Sequence, residues 1–169
     1  QPLIRALYDL ATWLAQPLLR RKLRRRGVAE PGYLHAVPER FGRYEAAPAR
    51  PQPAPGAPLV WVHAVSLGET RAAAILLPHL RAQWPGMRLL LTHGTATGRV
   101  EGATLLQPGD VQLWQAWDTR AATRRFVQAY RPDIGVLMET EVWPNAVRAC
   151  RNAGVPLVLA NARLSGKSL

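Results

Sequence analysis

The stretch Leu59-Val60-Trp61-Val62-His63-Ala64-Val65-Ser66-Leu67-Gly68-Glu69-Thr70-Arg71 decides how this chain is read. Its first four residues form a short apolar run with the composition of a strand buried on both faces. Ser66 to Glu69 then turns the chain into the segment Thr70 to Gln83, which is rich in alanine with leucines spaced along it. That segment reads as a helix, kinked at Pro78. Strand, tight turn and helix make the unit at which open α/β sheets place their ligands, outside the carboxyl ends of the strands.

Downstream the unit repeats. Strands are predicted at Leu59–Ala64, Met87–Thr92, Val111–Gln115, Ile134–Met138 and Pro156–Ala160, with helices near Thr70–Gln83, Thr97–Leu106, Thr119–Tyr130 and Trp143–Ala153. Pro85-Gly86, Pro108-Gly109, Pro132 and Gly154 punctuate them. Strands joined by helical crossovers predict an α/β fold, a parallel doubly wound sheet of Rossmann-like type in the order 3-2-1-4-5. Strands one and four then flank the switch point. The loops at that crevice are Val65–Glu69 and Glu139–Pro144, the two most distinctive stretches of the chain.

Upstream the sequence has another character. Pro2 to Leu19 is mostly apolar, with Tyr8 and Trp13, but Arg5 and Asp9 interrupt it and Pro17 closes it. It is too short and too polar for a membrane span, which wants about 20 apolar residues. A dense basic run, Arg20 to Arg26, follows. An apolar helix with aromatics followed by basic residues reads as an interfacial anchor on an anionic membrane surface. The competing reading is an ordinary amphipathic helix with a solvated basic end. A cleaved signal peptide is not expected here, since the charges follow the apolar part and no small-residue cleavage site is seen. Ala46 to Pro58 holds five prolines and reads as an extended linker. The expected organisation is therefore a membrane-associated helical segment over 1–45, a linker over 46–58 and an α/β domain over 59–169.

Composition narrows the class. The 169 residues suit one α/β domain with a proper core, and a formal net charge of +11 asks for an acidic partner. Nucleic acid is disfavoured because no recognised binding motif accompanies the charge. The single cysteine, Cys150, rules out an internal disulfide and reads as a small core residue. His35, His63, His79 and His93 lack ligand spacing, so no metal is expected.

Ser66 and Glu69 have the spacing of a capping box. Their place at the end of the first strand also suits a functional role. The helix N-terminus would keep the Glu69 carboxylate ionised, and Gly68 would let a ligand approach the backbone. An ionised carboxylate at a crevice mouth is a candidate general base. Across the crevice, Glu139 and Glu141 belong to a second acidic stretch. Capping by Thr140 or Glu141, with Pro144 in the first helical turn, would explain only one of its residues. Thr95, Thr97 and Arg99 could hold a phosphate or a sugar hydroxyl, or simply cap the next helix. Asn161 to Ser165, with Arg163, earns notice by its position after the fifth strand. Standard nucleotide loops are absent: no G-x-G-x-x-G follows the first strand, and Asn161 stands where a phosphate loop ending in Gly166-Lys167-Ser168 would need glycine.

Taken together in this order, HAVSLGET (63–70), THGTATG (92–98), METEVWPN (138–145) and VPLVLANARLS (155–165) resemble the amino-terminal half of bacterial 3-deoxy-D-manno-octulosonic acid (Kdo) transferases. AEPGYLHAVPERFGRY (29–44) and the segment before it share the likeness. Departures occur at Leu67, Gly94, Ala96 and in Gln115-Ala116-Trp117-Asp118, where only the aspartate is kept. The resemblance implies the acceptor-binding half of a GT-B glycosyltransferase that transfers Kdo from CMP-Kdo to a phosphorylated lipid A precursor in lipopolysaccharide biosynthesis. It implies an inverting reaction without metal or cofactor, at the cytoplasmic face of the inner membrane. It also implies Glu69 as the base, Glu139 and Glu141 as the second acidic motif, and Ser66, Gly68, Thr95, Thr97 and Arg163 as acceptor contacts. A donor-binding half would follow Leu169, so the chain alone is not expected to turn over. The rival expectation is a non-catalytic membrane-binding module of the same fold.

Overall fold

The computed structural model describes residues 2–139 and 143–161. Its centre is a five-stranded, wholly parallel sheet of β1 (Leu59–His63), β2 (Arg88–His93), β3 (Val111–Trp114), β4 (Ile134–Met138) and β5 (Leu157–Ala160). Its order is β3-β2-β1-β4-β5, as the alternation predicts. β1 is buried along its whole length, which is why its sequence is continuously apolar instead of alternating.

The crossover helices are α3 (Leu67–Gln83), α4 (Ala96–Ala103), α5 (Arg120–Tyr130) and α6 (Pro144–Asn152). Leu59, Trp61, Leu90, Leu113 and Leu137 pack with Phe126, Val127 and Tyr130 of α5 and Cys150 of α6. Val60, Val62, Leu89, Leu91, Val136 and Met138 meet Ala73 and Leu77 of α3 on the other face. The two faces are thus covered by different helices, and the crossovers after β1 and β4 leave on opposite sides. α3 runs unbroken through Pro78, whose ring is exposed, and begins at Leu67 because Ser66 caps it. α4 ends at Ala103, shorter than its predicted span. Cys150 is a fully buried core residue, and burial raises its thiol pKa to about 11.

Two helices precede the sheet, α1 (Pro2–Leu14) and α2 (Gln16–Ala29). Pro17 does not close the apolar run; it sits in the first turn of α2, where its missing N–H costs nothing, and the break falls at Ala15. The basic run is therefore itself helical. Leu23 and Gly27 form its buried side, one helical turn apart.

The segment between α2 and β1 is docked on the sheet and is not a free spacer. Tyr33 and Phe41, from two 3₁₀ turns at Pro31–Leu34 and Val37–Phe41, share a core with Leu23, Ala96 and Trp114. The Trp114 indole donates to the His35 carbonyl at 2.7 Å, and its backbone N–H donates to the Glu39 carboxylate at 2.8 Å. The Arg40 guanidinium lies 3.7 Å from the centre of the same indole. Further along, the Tyr130 hydroxyl donates to the Pro48 carbonyl at 3.0 Å and Arg50 donates to the Tyr130 carbonyl at 2.8 Å. These long-range bonds are what the composition cannot show.

Candidate active site at the sheet switch point

At the carboxyl end of β1 the chain leaves His63 and turns into α3. Ser66 is the N-cap, its hydroxyl oxygen accepting the Glu69 N–H at 3.4 Å. Glu69 folds back in return: Oε1 accepts the Ser66 hydroxyl at 3.0 Å and Oε2 accepts the Val65 N–H at 2.6 Å. This is the capping-box exchange, shifted by one residue because the carboxylate takes the N–H before the cap instead of the cap's own. Only 6% of the Glu69 surface is exposed. Its carboxylate is thus held in one orientation, within the first turn of a helix whose N-terminal dipole favours negative charge.

Gly68, next to it, is exposed, and nothing in the fold requires a glycine there. A Cβ at 68 would meet only the Ser66 hydroxyl oxygen, at 3.9 Å. Gly98 is the opposite case. A Cβ there would come 3.1 Å from the Ser66 carbonyl carbon, so this glycine lets α4 lie against the Ser66 turn. Thr95 caps α4, accepting the Gly98 N–H at 3.1 Å and donating to the Val65 carbonyl at 3.1 Å. Its side chain is therefore committed to holding the two loops together. Thr97 stays exposed beside it. Ser66, Gly68, Glu69, Thr95 and Thr97 are thus brought into one neighbourhood.

Beside β1, β4 ends at Met138, and Glu139 follows with a left-handed φ of +58° while its N–H donates to the Ala160 carbonyl at 2.8 Å. Asn161, after the neighbouring β5, has φ +55°. Two non-glycine residues in this costly region at the ends of adjacent strands mark backbone held against its preference, a property that clusters at functional sites. Thr140, Glu141 and Arg163 lie outside the described residues, as do Ala162 and residues 164–168 of the last stretch.

α6 is capped differently from expectation. Its N-cap is Trp143, without a side-chain cap bond, and Pro144 opens the first turn. The capping carboxylate comes from Asp118, between β3 and α5. Asp118 accepts the Asn145 N–H at 3.0 Å and the Ala146 N–H at 2.8 Å, and the Asn145 side chain donates to the Asp118 carbonyl at 2.7 Å. Asp118 also accepts the Tyr8 hydroxyl of α1 at 2.7 Å; burial first, and this bond second, raise the Tyr8 pKa far above its usual value. The retained aspartate in Gln115-Ala116-Trp117-Asp118 was the sequence signal for this residue.

Two histidines missed as structural features support the site from below. His63 is 2% exposed, and burial lowers its pKa to about 3. His93 is fully buried; burial again dominates and lowers its pKa to about 4. His93 bonds the Ala64 carbonyl through Nδ1 at 2.9 Å and the Gln112 amide through Nε2 at 3.0 Å. Both rings are neutral at pH 7 and serve as hydrogen-bonding core residues. Arg40 was missed as well. Burial lowers its pKa to about 10, and it donates to the Gly94 carbonyl at 3.1 Å, fixing the start of the Thr95 loop. Among the described residues no three His, Cys, Asp or Glu side chains gather into a group that could hold a metal.

Comparison with known proteins agrees with this geometry. Residues 35–169 match the family model of the 3-deoxy-D-manno-octulosonic-acid transferases (kdotransferases). The chain is 48% identical to the 3-deoxy-D-manno-octulosonic acid transferase of Bordetella pertussis, over 98% of this chain and 39% of that protein. It is 35% identical to a probable mitochondrial 3-deoxy-D-manno-octulosonic acid transferase of Arabidopsis thaliana, over 96% of this chain and 35% of that one. With the Haemophilus influenzae transferase it shares 29% identity over 97% of this chain and 37% of that one. The chain thus spans well under half the length of these relatives. A Rossmann-like half-domain with the acid-bearing turn at its switch point, matched by the family model over most of its length, belongs to the 3-deoxy-D-manno-octulosonic-acid transferase family.

Proposed function

We propose that this chain is the acceptor-binding half of an enzyme that transfers Kdo from CMP-Kdo to a phosphorylated lipid A precursor, with Glu69 as general base. In this reading the acceptor hydroxyl loses its proton to Glu69 as its oxygen attacks the anomeric carbon of Kdo from the face opposite the leaving group. The bond from that carbon to the CMP phosphate oxygen breaks, and CMP departs with the electron pair. The reaction inverts the anomeric centre and uses no metal or cofactor from this half. The observation that carries the reading is the Glu69 carboxylate, held by Val65 and Ser66 beside an exposed glycine whose side is open to a ligand.

The acceptor is a membrane lipid, and α1 supports that choice. Tyr8 and Asp9 turn inward, to Asp118 and to Arg148 at 2.8 Å, so the helix is held by its polar side. Leu3, Leu7 and Leu10 are left 53–70% exposed on the other. A helix docked by polar residues with its apolar side outward, beside a basic α2, has the arrangement of an interfacial anchor on an anionic surface. No helix among the described residues is long and apolar enough to cross a membrane. We place the protein peripherally at the cytoplasmic face of the inner membrane, with no nucleic-acid partner.

The test has two arms. A phosphorylated lipid A precursor with shortened acyl chains should give saturable heat in titration calorimetry against the folded domain. Vesicles containing anionic lipid should retain the domain at low salt and release it at high salt. Replacing Leu3, Leu7 and Leu10 by serine should abolish retention; removing residues 1–26 instead would also remove Leu23 from the core. Vesicle binding without precursor binding would favour the non-catalytic membrane module. A folded domain that binds neither contradicts the proposal.

A further inference from the structure

Under the crevice, between the end of β1 and the start of α6, lies a cavity of about 20 Å³ whose wall includes Trp61, His63, Thr92, Gln115 and Trp143. Two residues of this wall carry a buried nitrogen, Nε2 of His63 and Nε1 of Trp143, that has no hydrogen-bond partner among the described residues. Buried polar groups of native proteins are nearly always satisfied, so two on one small cavity call for an explanation.

The hydrogen-bond chain leading to His63 fixes what that nitrogen carries. The Trp61 indole N–H, a donor only, donates to the Thr92 hydroxyl oxygen at 2.8 Å. That oxygen lies 2.8 Å from Nδ1 of His63, whose ring is neutral. Thr92 has already accepted from Trp61, and Nδ1 is the acceptor within reach of its own proton. The hydroxyl oxygen could accept a second bond, but Nδ1 is the acceptor its own proton meets among the described contacts, so the Thr92 O–H is assigned as donating to Nδ1 and the ring hydrogen of His63 is placed on Nε2. Trp143 contributes a second N–H, which can only donate. The cavity is thus faced by two donors. Its volume is that of one water molecule, which can accept from both.

We infer that this cavity is a binding site for a single ordered water, which accepts hydrogen bonds from His63 Nε2–H and Trp143 Nε1–H and so braces β1 against α6. The place gives the water a purpose. His63 immediately precedes the turn that bears Ser66 and Glu69, and Trp143 immediately follows the stretch that begins at Glu139. One bridging molecule ties together the bases of both acid-bearing loops, and His63 and Trp143 are positioning residues. The water site stands on the geometry alone. Its effect on transfer rests on the function proposed above.

Two measurements separate these claims. Long-range ¹H–¹⁵N spectra of the domain should show the Nε2–H tautomer of His63. Water-selective cross-relaxation should show contacts from a long-lived water to the His63 and Trp143 ring N–H protons. An Nδ1–H tautomer, or no water contact at either proton, overturns the site, and neither result depends on a variant folding. In the full-length enzyme, Trp143→Phe keeps the ring and removes the donor. It should lose the water contact at His63 and lower kcat by about 10- to 100-fold with an unchanged melt, the range a small misplacement of reacting groups produces. Full transfer by a folded Trp143→Phe enzyme that lacks the water contact would overturn the bracing role. The base assignment is tested separately, by the activity of Glu69→Gln.

Discussion

Acidification to pH 4.5 should destabilise this domain through two residues in particular. His63 and His93 are buried neutral, with pKa values lowered to about 3 and about 4, burial being the first cause in each. Repulsion from His93 adds to the effect at His63, and the Arg99 guanidinium adds to it at His93. In the unfolded chain each returns to about 6.5. Between those values the unfolded state binds more protons than the folded one, so stability rises with pH and is lost as pH falls from 6.5 toward 4. Each fully developed difference of one proton is worth about 1.4 kcal/mol per pH unit. From pH 7 to 4.5 this gives about 2.5 kcal/mol per histidine, or on the order of 5 kcal/mol together. That is a large share of the 5–15 kcal/mol typical of a domain. His35 and His79 are exposed and should add little. Asp9, whose carboxylate Arg148 and Asn145 hold below its ordinary range against the opposing effect of burial, contributes in the same direction but chiefly at lower pH. Denaturant titrations at half-unit steps between pH 7 and 4.5 measure the slope directly. It should approach two protons taken up on unfolding near pH 5, and His93→Gln should reduce it by about one. A flat profile over this window would refute the assignment of both rings as buried and neutral.

Other consequences follow from single contacts. Gly68→Ala should leave the domain as stable or up to about 1 kcal/mol more stable in a thermal melt, because the position is helical and sterically open, yet impair transfer in the full-length enzyme. Unchanged transfer would remove the ligand from that side of the turn. Asp118→Ala strands the Asn145 and Ala146 N–H groups and the Tyr8 hydroxyl, and should cost about 2–4 kcal/mol in denaturant titration. Asp118→Asn, which keeps an acceptor, should lie between it and the parent.

Much of this architecture can be read directly from residue order. Fully apolar strands alternating with breaker-bounded helical stretches identify a parallel sheet, because crossovers cover both of its faces. The turn at Ser66–Glu69 is legible for a similar reason: a cap and its reciprocal acid are a local, three-residue device. What escaped is non-local. Asp118 caps a helix 27 residues away, Trp114 receives Glu39 from 75 residues away, and Tyr8 reaches Asp118 over 110. No periodicity encodes such pairs, so a reading of 1–45 as membrane-associated segment and 46–58 as linker does not show that Tyr33 and Phe41 pack under Trp114 or that Pro48 and Arg50 bond to Tyr130. His63 and His93 draw notice in the sequence only as possible metal ligands, and their spacing does not suit that role. Their burial depends on the partners Thr92, Ala64 and Gln112, which only the sheet register brings to them.

The central claim is that Glu69 takes the acceptor proton, beyond its part in the cap. Glu69→Gln in the full-length enzyme separates the roles, since glutamine also serves at the third position of a capping box while an amide cannot act as the base. A thermal melt and a transfer assay on one preparation should show a melt near that of the parent, retained CMP-Kdo binding and transfer reduced by about 10²–10⁴-fold. Transfer within about tenfold of the parent, with the same melt, would contradict the account and confine Glu69 to its structural role.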